Sequence, residues 1–413
     1  MVERGVGNLS ERATQRAGGL EWLDSLGPQK IRPGLSRTRA LLAALGNPER
    51  SFRSALVAGT NGKGSTAAAA AAVLRAAGVR AGLYTSPHLV AVTERIRVDE
   101  VDVSPPVLDD ALRLVEAVAG PGDLSPTYFE ALTVAAFEIF RRSRVRVAIV
   151  EVGIGGLLDA TNVLEPEVSV VTNIGADHLE TLGPAIADVA RQKAGIFRPG
   201  RLALSGAAGE GRAVLREETL RIGARLVEVP PTSRFRDVSP LPGRHQEANL
   251  ALAAALATAF APVDDDTLRR GVAATRWPGR LQRISRNGCC DLILDGAHNP
   301  DGASALAAWL DEEGISGRVD LLFGALSDKD LAGIFRPLAA RSRRIVLASP
   351  DSPRAAPAEE LARRLGRSDL PAASSAAEGL ACLADASDVP VLVAGSLYLV
   401  GDVLKLLRTE SSG

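Results

Sequence analysis

Short, unbroken apolar runs recur along this chain, and stretches with one polar and one apolar face separate them. SALVAG, RAGLYTS, RVAIVEVG, VSVVTNIG and RLALSG form a first series; CCDLILDG, VDLLFGAL, RRIVLAS and VPVLVAG form a second. Strands that are apolar throughout, rather than at alternate positions, are covered on both faces. With helical stretches between them they predict mostly parallel sheets and an α/β fold. Most of the runs end in Gly, Ser or Asp, and in such sheets ligands collect at the carboxyl ends of the strands.

Between the two series lies ALAAALATAFAPVDDDTLRRGVAAT, read as one helix over residues 251–275 that leads into TRWPGRLQRI. The alternation restarts after it. Residues 276–282 are therefore the expected boundary between a larger first domain, 1–282, and a smaller second one, 283–413. PAIADVARQKAGIFRPG, residues 184–200, predicts a helix with Pro at its first position and Gly195 at its close. The Pro-, Ser- and Arg-rich stretch 230–242 reads as a loop within the first domain. No internal repeat is evident, and the tail 409–413 is expected to fray.

Length and composition narrow the class. A chain of 413 residues exceeds one core, and 46% hydrophobic with 23% charged residues is the make-up of ordinary globular proteins. A formal net charge of −1 argues against nucleic acid as the main partner, though it leaves room for a local basic pocket. Three cysteines without a CxxC spacing make no zinc cluster, and adjacent Cys289 and Cys290 read as small buried hydrophobes on a strand. The charged first residues lack the apolar core of a secretion signal, and no apolar run reaches the ~20 residues that span a bilayer. The expectation is a cytoplasmic protein without a membrane partner.

Chemistry enters at the strand ends. In GTNGKGST, glycines let backbone N–H groups curl round an anion at a helix start. Lys63 would reach β- and γ-phosphates, and Ser65 or Thr66 would offer a hydroxyl to Mg²⁺. TSPHL supplies Ser86, although alone it also reads as a proline turn. In AIVEVGIGGLLDATN, Glu151 ends a wholly apolar strand, where an ionised carboxylate needs a cation, either a metal or a buried Arg. Gly153, Gly155 and Gly156 leave room for a substrate to approach the backbone. NIGADHLETLG places Asp177 and His178 after another strand, and a neutral imidazole binds metals. All four histidines, in SPH, ADH, RHQ and AHN, fall at strand ends or loop starts. Lys193 lies in a last helical turn, where a lysine ordinarily complements the helix dipole.

Taken in order, VAGTNGKGST, TSPHL, TYFEALT, EVGIGGLLDATN, ADHLETLG, QKAGI, RWPGRLQ, LDGAHNP and GSLYLVGD resemble the dihydrofolate synthase/folylpolyglutamate synthase family of Mur ligases. The resemblance spans residues 30–402. It implies a P-loop NTPase-like central domain followed by a Rossmann-like one. It also implies an ATP-dependent amide ligase that phosphorylates the carboxylate of dihydropteroate or of a folate and lets L-glutamate displace the phosphate. Thr60, Asn61, Gly62, Lys63, Gly64, Ser65 and Thr66 match the phosphate-binding loop. Ser65, Ser86, Glu151 and His178 match magnesium ligands, and two Mg²⁺ ions are implied, with K⁺ as a candidate supporting ion. Lys193 matches a lysine that becomes a carbamate, and with His178, Lys63 and His298 it makes the implied catalytic set. Asn249 matches an adenine contact, and Arg280 and Asp295 match nucleotide contacts. Asn299, beside His298, is read with it as helping to orient glutamate or the terminal phosphate. Thr127 and Leu158 match pterin-site positions, with Ile31, Arg32 and Pro33 closing the same pocket. A monomer is implied.

Two positions depart from the family pattern: Leu56 stands where a His is usual before the loop, and Leu157 where an Arg is usual in the glycine segment. Neither is a phosphate or metal position. They motivate a second reading, a Mur-type ligase for another carboxylate. A third reading, a nucleotide switch without catalysis, explains the loop but not Glu151, His178 and Lys193.

Overall fold

Every apolar run quoted above contains a strand, and together these strands build two sheets. The computed structural model describes residues 18–27, 32–120, 124–286, 290–384 and 389–410. Two units separate by contact: the first takes the chain up to Ser86, Val92–Val238 and Ala248–Arg276. The second takes Pro87–Ala91, Ser239–Glu247 and the chain from Trp277 on.

The first unit holds β1 (Arg53–Ala58), β2 (Ala81–Tyr84), β3 (Ile96–Val98), β4 (Val101–Asp102), β5 (Val147–Glu151), β6 (Val168–Val171), β7 (Leu202–Ser205) and β8 (Arg225–Glu228). Their order is β4-β3-β2-β5-β1-β6-β7-β8, antiparallel only from β2 to β4. Strand β1 lies between β5 and β6, with Leu56 opposite Val150 on one side and Ser169 on the other. The chain leaves β1 towards β2 on one side and leaves β6 towards β7 on the other, so their carboxyl ends flank a switch point, the place where such sheets bind ligands. Leu56, Tyr84, Phe137 and Phe140 fill the core beneath. The helix Lys63–Ala76 is nearly all alanine on its buried side, and Gly271 of the helix Asp265–Ala274 lies close against its Val73.

In the second unit β9 (Gln282–Ile284), β10 (Leu292–Leu294), β11 (Asp320–Phe323), β12 (Ile345–Ala348), β13 (Ala372–Ala373) and β14 (Val391–Ala394) lie in the order β13-β12-β11-β14-β10-β9. Only β9 is antiparallel to its neighbour.

Several expectations are corrected. The single helix over 251–275 is two, His245–Phe260 and Asp265–Ala274. Pro262 cannot continue the first, and Asp264 Oδ1 accepts the Thr267 N–H at 2.8 Å to start the second. The helix expected from Pro184 runs Ile186–Ala194, with Pro184 ahead of it. Cys290 is buried, as expected, but precedes β10 rather than lying in it; Cys289 falls outside the described residues. The loop 230–242 is assigned to the second unit from Ser239 on. No described helix is long and apolar enough to cross a membrane.

Candidate active site

The loop after β1 is built so that only glycine fits at two of its positions. Gly59 has φ +151° and a Cβ there would strike the Thr172 hydroxyl; Gly62 has φ +79° and a Cβ would strike the Asn249 amide. The segment just after β6 buttresses the turn. Asn173 Oδ1 accepts the N–H groups of Thr60 (3.1 Å) and Asn61 (2.8 Å), and Thr172 Oγ1 donates to the Asn61 carbonyl at 2.6 Å. Thr60 Oγ1 donates to the Gly175 carbonyl and accepts the Gly175 N–H. The helix Lys63–Ala76 starts at once, so its unpaired N–H groups and the positive end of its dipole face the turn. Ser65 and Thr66 lie buried in its first turn, and Thr66 Oγ1 has no hydrogen-bond partner among the described residues.

Two lysines converge on this turn. Lys63 Nζ donates to the carbonyls of Gly59 (3.1 Å) and Thr60 (3.2 Å), and Lys193 Nζ donates to the same Gly59 carbonyl at 2.8 Å. Lys193 is buried. Burial, and then the Lys63 charge, push its pKa down to about 7, with Asp177 pulling the other way. Both lysines line one cavity with Gly59, Thr60, Gly153, Asp177 and His178.

The far wall is the glycine segment after β5. Asp159 Oδ2 accepts the Ile154 N–H at 3.0 Å, and Oδ1 accepts the Thr161 N–H and hydroxyl, which folds the segment into a fixed loop. Burial raises the Asp159 pKa, and the hydrogen bonds to Thr161 oppose that. Gly156 lies against the last turn of the helix Ile186–Ala194: a Cβ would sit 2.8 Å from the Gln192 carbonyl. The loop and Lys193 are thus positioned by one contact.

Glu151 is buried at the end of β5, and one of its oxygens accepts the Ser86 N–H at 3.2 Å. His178 adopts φ +54°, with its N–H donated to Asp177 Oδ1 at 3.0 Å. Hard oxygen donors such as the Ser65 hydroxyl and the Glu151 carboxylate suit Mg²⁺, and a buried carboxylate favours a nearby cation. Among the described residues no three His, Cys, Asp or Glu side chains gather to hold a metal by themselves. The Ser65 hydroxyl and the Glu151 carboxylate are donors of the kind such an ion takes beside phosphate and water.

Beside the glycine segment, Gly34 donates its N–H to the Leu158 carbonyl at 3.3 Å, and Arg32 Nη1 donates to the Ser125 carbonyl at 3.2 Å. Arg32, Pro33, Leu158 and Thr127 therefore belong to one neighbourhood; Ile31 lies outside the described residues. Thr127 caps the helix Tyr128–Arg142 reciprocally with Glu130, which also pairs with Arg37.

In the second unit, Asp295 accepts the N–H groups of Leu281 and Ala297, each at 2.9 Å, and Arg280 donates to the Gly279 carbonyl. His298 Nδ1 lies 2.8 Å from the Gly296 carbonyl, so that nitrogen carries a proton. Asn299 caps the helix Pro300–Glu312. His245 is held below the usual imidazole pKa by burial, with Asp295 and Glu312 raising it and Arg280 lowering it.

Sequence reasoning passed over Asn173, Thr172 and Asp159. The signal for the first two was a polar pair directly after an apolar strand. For Asp159 it was an Asp followed two residues later by Thr, the mark of a local side-chain turn.

The Mur ligase middle domain matches residues 57–206, and the Mur ligase glutamate ligase domain matches residues 279–397. Folylpolyglutamate synthase from Lacticaseibacillus casei is 36% identical over an alignment of 407 residues that covers 90% of this chain and 94% of the relative. This chain belongs to the folylpolyglutamate synthase/dihydrofolate synthase family. Among solved members of that family, Escherichia coli FolC in complex with DHPP and ADP superposes with a TM-score of 0.85 at 32% identity, over 96% of this chain and 99% of the other. A bifunctional folylpolyglutamate synthase/dihydrofolate synthase with Mn, AMPPNP and L-glutamate bound gives a TM-score of 0.84 at 32% identity over 96% and 99% of the two chains.

Proposed function

We propose that this chain is an ATP-dependent ligase that joins L-glutamate to dihydropteroate, to the γ-carboxylate of folates, or to both. The observation that carries the reading is the convergence of Lys63 and Lys193 on the Gly59 carbonyl, inside a glycine turn at a helix start. Phosphoryl transfer needs positioning and charge neutralisation more than covalent help from the protein. The turn and helix N–H groups hold the terminal phosphates, and Lys63 neutralises them. Attack of the acceptor carboxylate oxygen on the γ-phosphorus breaks its bond to the β-phosphate and gives an acyl phosphate and ADP. The glutamate amine then displaces phosphate and loses a proton. Ser65, Ser86, Glu151 and His178 would hold Mg²⁺, which when bound supplies charge neutralisation for the phosphates.

Lys193 is read as the site of a carbamate. A lysine titrating near 7 is largely neutral just above that pH, and a neutral amine adds to CO₂, forming an N–C bond and releasing a proton. The product is an anion suited to a second divalent ion. Asn249, Arg280 and Asp295 are assigned to the nucleotide, and His298 to the terminal phosphate or glutamate. Arg32, Pro33, Thr127 and Leu158 are assigned to the pterin-bearing acceptor. Asn299, whose Oδ1 caps the helix that follows, keeps the same reading beside His298.

The decisive assay combines ATP, Mg²⁺, glutamate and a pteroate or folate acceptor. Phosphate release should need all four. If no acceptor of that series supports it, the second reading, another carboxylate acceptor, takes over. Its support is Leu157, 45% exposed on the glycine loop, an apolar rather than cationic neighbour for the substrate. The variant Leu157→Arg should then gain nothing on folates.

A further inference from the structure

The opposite edge of the first sheet carries a second concentration of charge. The parallel neighbours β5, β1, β6 and β7 start at Val147, Arg53, Val168 and Leu202, so Arg146, Arg53, Glu167 and Arg201 come side by side along their amino ends. Together with Arg50, Arg141, Arg144 and Glu165, they line a concavity of about 640 Å³. That is six arginines against two glutamates, a local excess of four positive charges in a chain whose formal net charge is −1.

Some of that charge is neutralised. Arg53 forks onto Glu167 at 2.9 and 2.7 Å, Arg141 pairs with Glu138, and Glu165 takes Arg198. Arg144, Arg146 and Arg201 have no hydrogen-bonded or ion-paired carboxylate among the described residues; Arg201 only senses Glu167 electrostatically. Arg144 is also held at φ +53°, the left-handed position after the helix Tyr128–Arg142 that glycine ordinarily fills. A cation is kept there against the local preference of the backbone.

We propose that this edge binds the poly-γ-glutamyl chain of a folate, the product class of the ligase reading on which this inference rests. Guanidinium forks match carboxylates and phosphates alike, so charge alone does not choose between them. Spacing does. Arg146 and Arg201 stand at strands three pitches apart, about 14 Å. A triphosphate concentrates its charge in one place, whereas a γ-glutamyl chain carries one free carboxylate on each unit and spreads them along its length. Half-buried Phe52 lines the same concavity and offers an apolar face for the chain's methylenes. The five-residue strand β5 separates this edge from the Glu151 end by about 17 Å, so a chain bound here touches no catalytic group.

The test is fluorescence anisotropy of a labelled tetra-γ-glutamyl peptide without a pterin, titrated with the full chain. Variants Arg144→Ala/Arg146→Ala/Arg201→Ala and, separately, Arg146→Glu are compared with wild type. Affinity should fall about tenfold or more in the triple variant, and it should fall in the charge reversal too. ATP- and glutamate-dependent phosphate release should stay unchanged, which also shows that the variants fold. Free glutamate and tripolyphosphate should displace the peptide only at far higher concentration than unlabelled peptide. Equal affinity in wild type and both variants overturns the proposal, and so does tripolyphosphate outcompeting the peptide. Arginine-dependent binding without any folate-dependent phosphate release would leave the site standing and remove the ligase reading instead.

Discussion

Lys193 titrates near 7 because its ammonium is buried beside another lysine, and this has a signed consequence for stability. Between about 7 and the ordinary lysine value of 10.5, the unfolded chain holds a proton that the folded chain lacks. Stability therefore rises with pH across that window, and below about 7 the folded protein bears the full cost of a buried cation. Urea midpoints in CO₂-free buffer, taken from pH 6 to 9, should climb for wild type relative to Lys193→Met, and the difference should be flat below pH 7. The same substitution should cut turnover by about a hundredfold or more while ADP still binds. Gly62→Ala probes the neighbouring turn. A left-handed conformation costs an L-residue about 1–2 kcal/mol, before the collision with Asn249 is counted, so urea unfolding should show at least that loss and ATP-dependent activity should drop with it. At this scale the residue types that the chemistry calls for stand where the sequence puts them, Lys63 in the glycine turn and Glu151 at the buried end of β5. Elsewhere one residue type serves two ends. Thr127, three positions before Glu130, is the spacing of a reciprocal helix cap, and Asn299 before Pro300 is a cap as well.

Elements were legible in proportion to their burial. Strands β1, β5, β6, β11 and β14 are mostly apolar because both faces are covered, and each lies within an apolar run of the sequence. Strands β4 and β8 are edges with exposed residues, and β3, β9 and β13 are two or three residues long; none presents a run to recognise. The split of the helix after β8 escaped because alanine continues the helical pattern up to Pro262, and only the Asp264 cap marks the restart. The turn closing the helix Tyr128–Arg142 supplies an element-scale prediction. Its two closing bonds, Arg144 N–H to the Arg141 carbonyl and Val145 N–H to the Phe140 carbonyl, are those of a helix end that favours glycine between them. Arg144→Gly should therefore stabilise the protein by up to about 1 kcal/mol, visible as a higher urea midpoint with an unchanged slope.

At the scale of the whole molecule, the chain does not divide at a single peptide bond. The second unit includes Pro87–Ala91 and Ser239–Glu247 as well as the chain from Trp277 on. Leu89 and Val90 pack onto its apolar cluster with Leu399, Val400 and Val403, and Gly401 lies so close to the Leu89 carbonyl that a side chain there would overlap it. A fragment of residues 277–413 would leave that seat empty. Its urea midpoint should lie below that of a version with residues 87–91 fused back through a flexible linker. The motif order announced two series of strands, but no periodicity in the sequence marks a five-residue segment as belonging to a domain that begins nearly two hundred positions later.

Synthesis meets the same arrangement from the other direction. Leu89 leaves the ribosome about three hundred positions ahead of the backbone that covers it, around Gly401. For most of its production the nascent polypeptide carries an unclosed greasy patch, a ready target for chaperones. A stop codon ahead of Gly401 would yield a protein in which this fastening is missing although every catalytic side chain has been made.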